Sequence, residues 1–246
     1  MPEPIHAYLI VNARYHDTDF ARLEILKLLS ETSEVRTRVA QDFSDLEAIA
    51  QADFLITYTC DLRPTEEEAL ALQAFVSSGG RWIALHGTNA ILEIGAKGMY
   101  CPREHTTFME TLGSRFISHP PSMPYTVTVS DPSHPLVAGL DSFETEDELY
   151  LCEYYGEIKP LLQTRFTGTF QSGYVENEWP DDEPRLVAYT HPVGEGEVLY
   201  ITLGHCCGAY DMRPLQPIAE VVRGSWENPT YMELLRRSIA WGRSEL

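Results

Sequence analysis

The first half of the chain alternates short apolar runs with segments that repeat apolar residues at helical spacing. Ala7–Val11 and Phe54–Tyr58 are almost uninterrupted apolar runs, which are typical of strands buried on both faces of a parallel sheet. Asp19–Leu29 carries apolar residues at every third or fourth position, and Pro64 with the acids behind it marks another helix start. This alternation predicts parallel strands with helices on both faces of the sheet.

The second half of the chain has more strand character and more proline. Tyr125–Val129 alternates apolar and polar residues, and Val193–Glu197 separates two strand candidates as a hairpin turn does. An apolar stripe predicts a closing helix from about Thr230 to Gly242. Because no repeat, low-complexity tract or linker interrupts the pattern, we expect residues 1–246 to form a single α/β domain with an added β-rich portion.

Composition restricts the partners and the compartment. The chain has 37 acidic and 18 basic residues, a formal net charge of −19, and such a surface repels nucleic-acid phosphates. No apolar run is long enough to cross a bilayer, and no signal peptide is apparent, so we expect no membrane association and a cytoplasmic location. The five cysteines lack regular spacing, so we expect reduced thiols, with Cys206 and Cys207 packed as small apolar residues.

Several predicted strands end in polar side chains. Ligands of open parallel sheets bind beyond the carboxyl ends of the strands, where histidines are suited to proton transfer near neutral pH. The polar residues at these ends are Asn12, Arg14, His16 and Asp17, then Thr59, Cys60, Asp61 and Arg63, then His86, Thr88 and Asn89, and finally His205. The pattern favours acid–base chemistry at this edge, although loops are polar for other reasons as well.

The sharpest local feature is the strand Trp82–Leu85, which runs directly into His86 and Gly87. A strand that turns abruptly into a helix exposes the turn residue beside backbone N–H groups, which stabilise a developing anion. We expect Gly87 to permit the tight turn. His86 cannot perform the acyl chemistry of serine or cysteine, but it can serve as a general base, an electrophile or a metal ligand. The alternative is that it caps the helix or fills a polar niche.

The acidic run Phe143–Tyr150 is a second candidate. In strand geometry Glu146, Glu148 and Tyr150 share one face and Asp147 lies on the other. Carboxylates so arranged can perform acid–base chemistry or hold a cation. A solvated acidic edge is the commoner meaning of such a run.

Histidine spacing leaves metal binding open. His119, His134 and His191 each precede a proline, which favours extended loop geometry, and we interpret His191 as structural. No two histidines have the helical spacing of a compact zinc motif. A site built from His86, His119, His205 and a carboxylate is chemically feasible, so a divalent metal such as zinc, manganese or nickel stays an open alternative.

Five segments in a fixed order carry a family resemblance. They are GGRWIALH, FISHP, VSDPSHPLVAGL, DELY and GEGEVLYITLGH. In this order they resemble the ThuA-like (trehalose utilisation) family over most of the chain. That family is similar in fold to class I glutamine amidotransferases, so the resemblance implies a flavodoxin-like, mostly parallel sheet. His86 stands where amidotransferases keep a nucleophilic cysteine, and Cys60 and Cys101 fall outside the pattern, so we expect no glutaminase activity.

The resemblance implies an enzyme of carbohydrate metabolism that acts on a sugar or 3-keto-sugar of the trehalose type. Carried over position by position, it assigns catalytic roles to His86, Asp147, Glu148 and His205 and marks His119, His134, Tyr150 and the pair His16–Asp17. In the working hypothesis Glu148 or His205 is the general base, His86 polarises a carbonyl or hydroxyl, and Asp147 orients a histidine. Substrate binding is assigned to Asn12, His16, Thr88, His119 and Tyr150.

Two other interpretations stay open. One is a catalytically silent sugar-binding or regulatory module on the amidotransferase-like scaffold, and the other is a metal-dependent hydrolase of the same fold. Several histidines beside a carboxylate favour an enzyme, because a binding module does not need them. The expected partner is a small carbohydrate, and a homo-oligomer is left open. The unusual insertion Lys97–Arg103 is expected to cover the rim, and Thr167–Pro184 is either a lid or a dimer arm.

Overall fold

Nine strands form one mixed sheet, and short hairpin or edge pairs accompany it. A computed structural model describes residues 3–246. The strands are β1 (Ile5–Ala13), β2 (Val35–Ala40), β3 (Phe54–Cys60), β4 (Arg81–Leu85), β5 (Glu93–Gly95), β6 (Gly98–Tyr100), β7 (Ser114–Ser118), β8 (Met123–Val129), β9 (Phe143–Asp147), β10 (Leu151–Tyr154), β11 (Lys159–Arg165), β12 (Gly168–Thr169), β13 (Glu178–Trp179), β14 (Pro184–Val193) and β15 (Gly196–Ile201). The helices are α1 (Thr18–Ser30), α2 (Leu46–Ala50), α3 (Glu66–Ser77), α4 (Thr106–Leu112) and α5 (Pro229–Gly242), with short 3-10 helices at His86–Asn89 and Gly224–Glu227.

The main sheet is parallel at one end and antiparallel at the other. Its strand order is β2-β1-β3-β4-β15-β14-β11-β8-β9. The first five strands are parallel to one another, in the 2-1-3-4-5 order of a flavodoxin-like core if β15 is counted as the fifth. The last four strands add antiparallel pairs. The predicted flavodoxin-like core and the added β-rich portion are therefore both confirmed.

The helices pack in two groups. α1 contacts α5, while α3 contacts both α2 and α4, so both faces of the sheet are covered as predicted. The sequence places the helix starts: Asp17 caps α1, and Thr65 with Glu68 forms a capping box ahead of α3. No helix within residues 3–246 combines the length and the apolar character needed to cross a membrane.

The predicted hairpin is present in the antiparallel part. Val193 pairs with Gly196 across a two-residue loop, in which Gly194 adopts a φ of 63°. All seven residues of β3 are buried, as expected of a central strand with both faces covered. The hairpin sets the register of β15 against β14, and β15 leads to His205 in the candidate site.

Three neighbouring parallel strands end in a sharp left-handed turn. The turn residues are Tyr15 after β1 (φ 69°), Asp61 after β3 (φ 54°) and His86 after β4 (φ 48°). The expectation that Gly87 makes the tight turn is thus corrected, because His86 itself takes the strained conformation. Gly87 is needed for a different reason: an added Cβ would lie 2.8 Å from the Thr59 carbonyl oxygen. The 3-10 helix that begins at this turn is four residues long.

Candidate active site

A cavity of about 240 Å³ opens at the carboxyl edge of the parallel strands. Its polar floor is formed by His16, His119, Glu148, Tyr150 and His205. These side chains come from segments far apart in the chain, because the turns after β1, β7, β9 and β15 all meet at this edge. The sheet topology, more than any local motif, therefore assembles the cluster.

His86 lies directly beneath this floor. It is 1% exposed, and its Nε2 is 2.9 Å from His16 Nε2 and 3.2 Å from the Tyr150 hydroxyl. The His86 ring nitrogens contact the Thr202 carbonyl oxygen, His16 and Tyr150 in place of an N–H of the 3-10 helix His86–Asn89, so the capping alternative for His86 does not hold. His86 reaches the cavity through its neighbours, whereas the working hypothesis had it touch the substrate.

Glu148 stands at the centre of the histidines. Its Oε1 lies 3.3 Å from His205 Nδ1 and 3.5 Å from His119 Nε2, and its Oε2 lies 3.5 Å from His86 Nε2. The side chain is only 14% exposed. The solvated-edge interpretation of the acidic run is therefore wrong for Glu148.

Three of the histidines hold their ring Nδ1 against a backbone carbonyl oxygen. The contacts are His16 to Arg14 at 2.7 Å, His86 to Thr202 at 2.8 Å and His119 to Pro120 at 2.7 Å. Because a carbonyl oxygen only accepts, each Nδ1 carries a hydrogen and, in the neutral ring, each Nε2 keeps its lone pair. All three lone pairs are directed toward the cluster around Glu148.

Burial and neighbouring charges shift the pKa values of the carboxyl and imidazole groups in this cluster. Burial alone would raise the pKa of the Glu148 carboxyl, but His119 and His205 hold that pKa well below its usual range. Burial also opposes charge on His205, yet Glu148 raises the pKa of that imidazole above its usual value. Burial lowers the pKa of both His16 and His119. Glu148 is therefore ionised near neutral pH, and His205 carries a proton more readily than His16 and His119 do.

The cluster has more hydrogen-bond acceptors than donors. The Nε2 lone pairs of His16 and His86 face one another at 2.9 Å, and the Glu148 carboxylate lies close to both rings. Burial raises the pKa of the Tyr150 hydroxyl, which stays protonated and donates to His86. Within residues 3–246, His205 Nδ1 has no hydrogen-bond partner of acceptable geometry. A shared proton or a bound cation would satisfy this surplus of acceptors.

The donor set is suited to a divalent metal. His16, His86, His205 and Glu148 each offer one ligand atom, and these atoms all lie within 4.8 Å of one another. Ligands about 2.1 Å from zinc at the corners of a tetrahedron are about 3.4 Å apart. The carbonyl oxygens behind His16 and His86 are the outer partners that usually orient metal-binding imidazoles.

Asp147 lies behind the cavity and is fully buried. Its Oδ2 accepts the Gly204 N–H at 2.9 Å, and its Oδ1 accepts the N–H groups of His205 at 3.1 Å and Glu148 at 2.7 Å. The Ser225 hydroxyl also donates to it. Asp147 was expected to orient a histidine; it fixes the backbone of His205 and leaves the ring alone. It is a positioning residue.

The predicted faces of the acidic run are corrected as well. Glu146 is exposed, whereas Glu148 and Tyr150 reach the cavity. The three share no face because β9 ends at Asp147, whose side chain accepts the next N–H and turns the chain. The strand period of two therefore stops before Glu148.

Three other predicted residues do not reach the cavity. Asn12 donates its side-chain N–H to a backbone oxygen just past β2, at 3.0 Å. Thr88 is buried, and its hydroxyl donates to the last carbonyl of β4 at 2.8 Å. His134 accepts a backbone N–H within its own turn, at 3.3 Å. Asn12 and Thr88 thus have local structural partners in place of the substrate contacts expected for them.

The apolar walls were not identified from the sequence. They include Phe116, Tyr174 and Met212, whose segments show no periodic signal. Lys97–Arg103, which was expected to cover the rim, supplies Met99 to the cavity wall. Thr167–Pro184, for which a lid and a dimer arm were both open, supplies Tyr174. The individual side chains of the wall could not be predicted from spacing.

The thiols near the site stay protonated. Cys60 lines the cavity, and burial followed by the nearby Glu148 raises its pKa well above the usual value. Burial raises the pKa of Cys206 to about 12. Both Cys206 and Cys207 are buried free cysteines, as the sequence predicted. None of these three has the lowered pKa that a nucleophilic thiolate needs.

Solved structures share this fold at low sequence identity. A protein described as ThuA-like from Parabacteroides merdae superposes with a TM-score of 0.68 at 15% identity, covering 99% of this chain and 91% of that chain. Another from Bacteroides uniformis gives 0.69 at 17% identity, covering 98% and 93%. A β-galactosidase from Rahnella sp. R3 gives 0.60 at 11% identity, covering 99% of this chain but only 32% of its own. At these identities the likeness shows the fold alone.

Sequence comparison assigns the family. No curated protein matches the chain. The family model ThuA, described as trehalose utilisation, matches residues 8–226, a stretch that contains His16, His86, His119, Glu148 and His205. The chain therefore belongs to the ThuA (trehalose utilisation) family.

Proposed function

We propose that this protein is an enzyme that transfers protons on a sugar or 3-keto-sugar from the breakdown of trehalose-type disaccharides. Membership in a trehalose-utilisation family suggests a role in sugar catabolism. The observation that carries the proposal is the Glu148 carboxylate, buried among three histidines at the floor of an open cavity. Burying such a charge costs several kcal/mol of folding free energy, and a protein that only binds a sugar does not need a carboxylate in this position.

Glu148 and His205 supply the base and the acid. Glu148 is ionised, so it accepts a proton from the carbon next to the carbonyl group of a keto-sugar. His205 carries a proton and delivers it to the carbonyl oxygen as the enol forms. Return of the proton to a different carbon isomerises the sugar, and loss of a neighbouring substituent gives elimination. Both outcomes share the same first step.

The remaining residues of the cluster hold this pair in place. His119 lies on the other side of the carboxylate, with its Nε2 3.5 Å from Glu148 Oε1. Tyr150 and His16 line the floor, where a hydroxyl and a ring nitrogen can bind sugar hydroxyls. His86 accepts the Tyr150 hydroxyl from beneath, and its ring packs edge-on against the His16 ring. The elbow histidine therefore acts through its neighbours.

The test is hydrogen exchange from D2O into 3-keto-trehalose, followed by NMR at the carbon beside the carbonyl. Wild-type protein is expected to exchange this hydrogen, and Glu148→Gln is expected to slow exchange by at least about 100-fold. Glu146→Gln is the matched control, because this exposed carboxylate lies two residues away. Exchange that is equally fast in Glu148→Gln would refute the role of Glu148.

A metal-dependent reaction at the same residues is the second candidate, and the surplus of acceptors favours it. His16, His86, His205 and Glu148 would hold the ion. A bound divalent metal supplies Lewis acidity toward a carbonyl or a water molecule. Elemental mass spectrometry of the untagged protein and of His86→Ala separates the two candidates. Near-stoichiometric metal that is lost in the variant supports the second, and no metal in either protein supports the first.

A further inference from the structure

The cavity has an apolar mouth above its polar floor, built by two separate segments. One, here called the hairpin flap, consists of residues 92–100 and residues 172–175, joined where Met99 N–H donates to Gly173 O at 2.8 Å and Val175 N–H donates to Met99 O at 2.9 Å. It contributes Leu92, Met99 and Tyr174 to the cavity wall. The two pieces thus form one supported wall on one side of the mouth.

The other segment, here called the loop flap, consists of residues 208–221. Its base is closed by a bridge in which Cys207 and Val222 exchange two hydrogen bonds of 2.9 Å. It begins directly after the His205 segment and ends just before Ser225, which donates to Asp147. Met212 and Leu215 line the cavity from this flap. The loop flap is therefore attached at both ends to the elements that carry the polar floor.

Both flaps also carry exposed apolar side chains. Leu215, which lines the cavity, is itself 46% exposed. Ile94 on the hairpin flap is 70% exposed, and Ile218 on the loop flap is 67% exposed. Exposed apolar side chains on the segments that line a ligand cavity favour an apolar ligand group.

The wall lacks cationic side chains and is mainly apolar. Among the described residues that line the cavity, none is lysine or arginine, so an anionic ligand meets no fixed positive side chain. The polar groups of the wall are Gln216, the hydroxyls of Tyr15 and Tyr174, and Ser172, whose hydroxyl already donates to His119 O at 2.9 Å. A hydroxyl-rich second sugar placed against Leu92, Met99, Met212 and Leu215 would lose water there without gaining hydrogen bonds from these side chains.

We propose that the ligand of this site is a neutral glycoside whose aglycone is apolar, such as an aryl or alkyl group. The inference rests on the proposed function and names its substrate class. The sugar ring lies on the floor beside Glu148, and the aglycone lies between the two flaps, against Met99 and Leu215. Apolar burial between the flaps stabilises the complex, because each apolar group removed from water contributes favourably.

The experiment is isothermal titration calorimetry with phenyl β-D-glucopyranoside, methyl β-D-glucopyranoside and trehalose, each in its native and 3-keto form. The phenyl glycoside is expected to bind at least about 10-fold more tightly than the methyl glycoside and than trehalose. Met212→Ser with Leu215→Ser is expected to bring the phenyl-to-methyl ratio below about 3. Leu23→Ser is the control, because that side chain is exposed on α1 and should leave the ratio unchanged.

The outcomes separate this inference from the proposed function. Equal affinity for the phenyl and methyl glycosides, or tighter binding of trehalose, overturns the inference and leaves the acid–base proposal standing. A phenyl preference that survives the double variant places the aglycone elsewhere and also overturns it. Failure of every glycoside to bind in both forms overturns the inference and the proposed function together. The phenyl-to-methyl affinity ratio of the wild-type protein alone tests whether the site prefers an apolar aglycone. The inference can therefore be overturned even if the double variant does not fold.

Discussion

Replacing Asp147 with asparagine tests whether one buried carboxylate holds the two main residues of the cluster in register. Its two oxygens together accept the backbone N–H groups of Gly204, His205 and Glu148 and the hydroxyl of Ser225. Asparagine keeps one accepting oxygen and presents an NH2 group at the other position. At least one buried N–H then faces another donor, and the remaining bonds lose their charge-assisted character.

The expected loss of stability follows from these contacts. An unsatisfied buried donor costs about 1–3 kcal/mol, and a hydrogen bond to a charged group is worth about 1.5–3 kcal/mol. We therefore expect Asp147→Asn to lower the free energy of unfolding by about 2–4 kcal/mol. For a chain of this size that corresponds to a fall in Tm of about 5–15 °C.

Urea unfolding monitored by tryptophan fluorescence measures the change, and Asp141→Asn is the matched control. Asp141 is exposed just before β9, so its substitution should change stability by less than about 0.5 kcal/mol. If Asp147→Asn were as stable as Asp141→Asn, Asp147 would not be positioning the backbone of Glu148 and His205.

Four further predictions concern the same edge of the sheet. The pKa of the Glu148 base is lowered from 4.5 and that of the His205 acid is raised from 6.5. Both residues then keep their working protonation states between these values, so kcat/KM should stay flat from below pH 4.5 to above pH 6.5. A fall in kcat/KM inside this window would contradict the assignment. The same shifts make the free energy of unfolding depend on pH: the contribution of Glu148 is lost as pH falls through its lowered pKa, and that of His205 is lost as pH rises through its raised pKa. Urea unfolding of wild type and Glu148→Gln across pH measures both effects. Gly87→Ala would place a Cβ 2.8 Å from the Thr59 carbonyl oxygen and should cost about 1–3 kcal/mol by urea unfolding, whereas a neutral result would mean that the backbone shifts freely. Tyr200→Phe removes the hydroxyl that accepts the Asn89 N–H and donates to the His86 carbonyl, so calorimetric Tm should fall by several degrees, and an unchanged Tm would show that water replaces it.

The parallel half of the fold could be predicted because its signals are local. Apolar runs such as Phe54–Tyr58 have few alternatives to a buried strand, and the cap residues of α1 and α3 mark their own helices. The antiparallel half was harder. β11 (Lys159–Arg165) contains a proline and charged ends, and only its pairing with β14 and β8 makes it a strand. Such pairing depends on residues distant in sequence.

The candidate site, like the fold, could be predicted in part: the edge of the sheet could be predicted, but the direction of each side chain could not. The rule that ligands bind at strand ends correctly placed His16 and His205 at one edge, since it depends only on topology. It failed for Asn12 and Thr88 because it fixes the edge of the sheet and not the direction of a side chain. Glu148 was ambiguous from its own segment, since an acidic run at the end of a strand can face either water or a cavity.

The strained elbow at the end of β4 is held in place by its neighbours. A non-glycine residue with a φ of 48° costs about 1–3 kcal/mol and persists only when its surroundings hold it. Here the Thr202 carbonyl fixes the His86 ring and the Tyr200 hydroxyl fixes its backbone carbonyl. Both partners come from the end of β15, the strand that also delivers His205. The turn geometry is therefore held by the strand next to the elbow. The side chain on this turn is buried among the residues that follow the neighbouring strands. In this protein the strand ends supply histidines and a carboxylate, so the turn residue His86 lies within a cluster of histidines around Glu148.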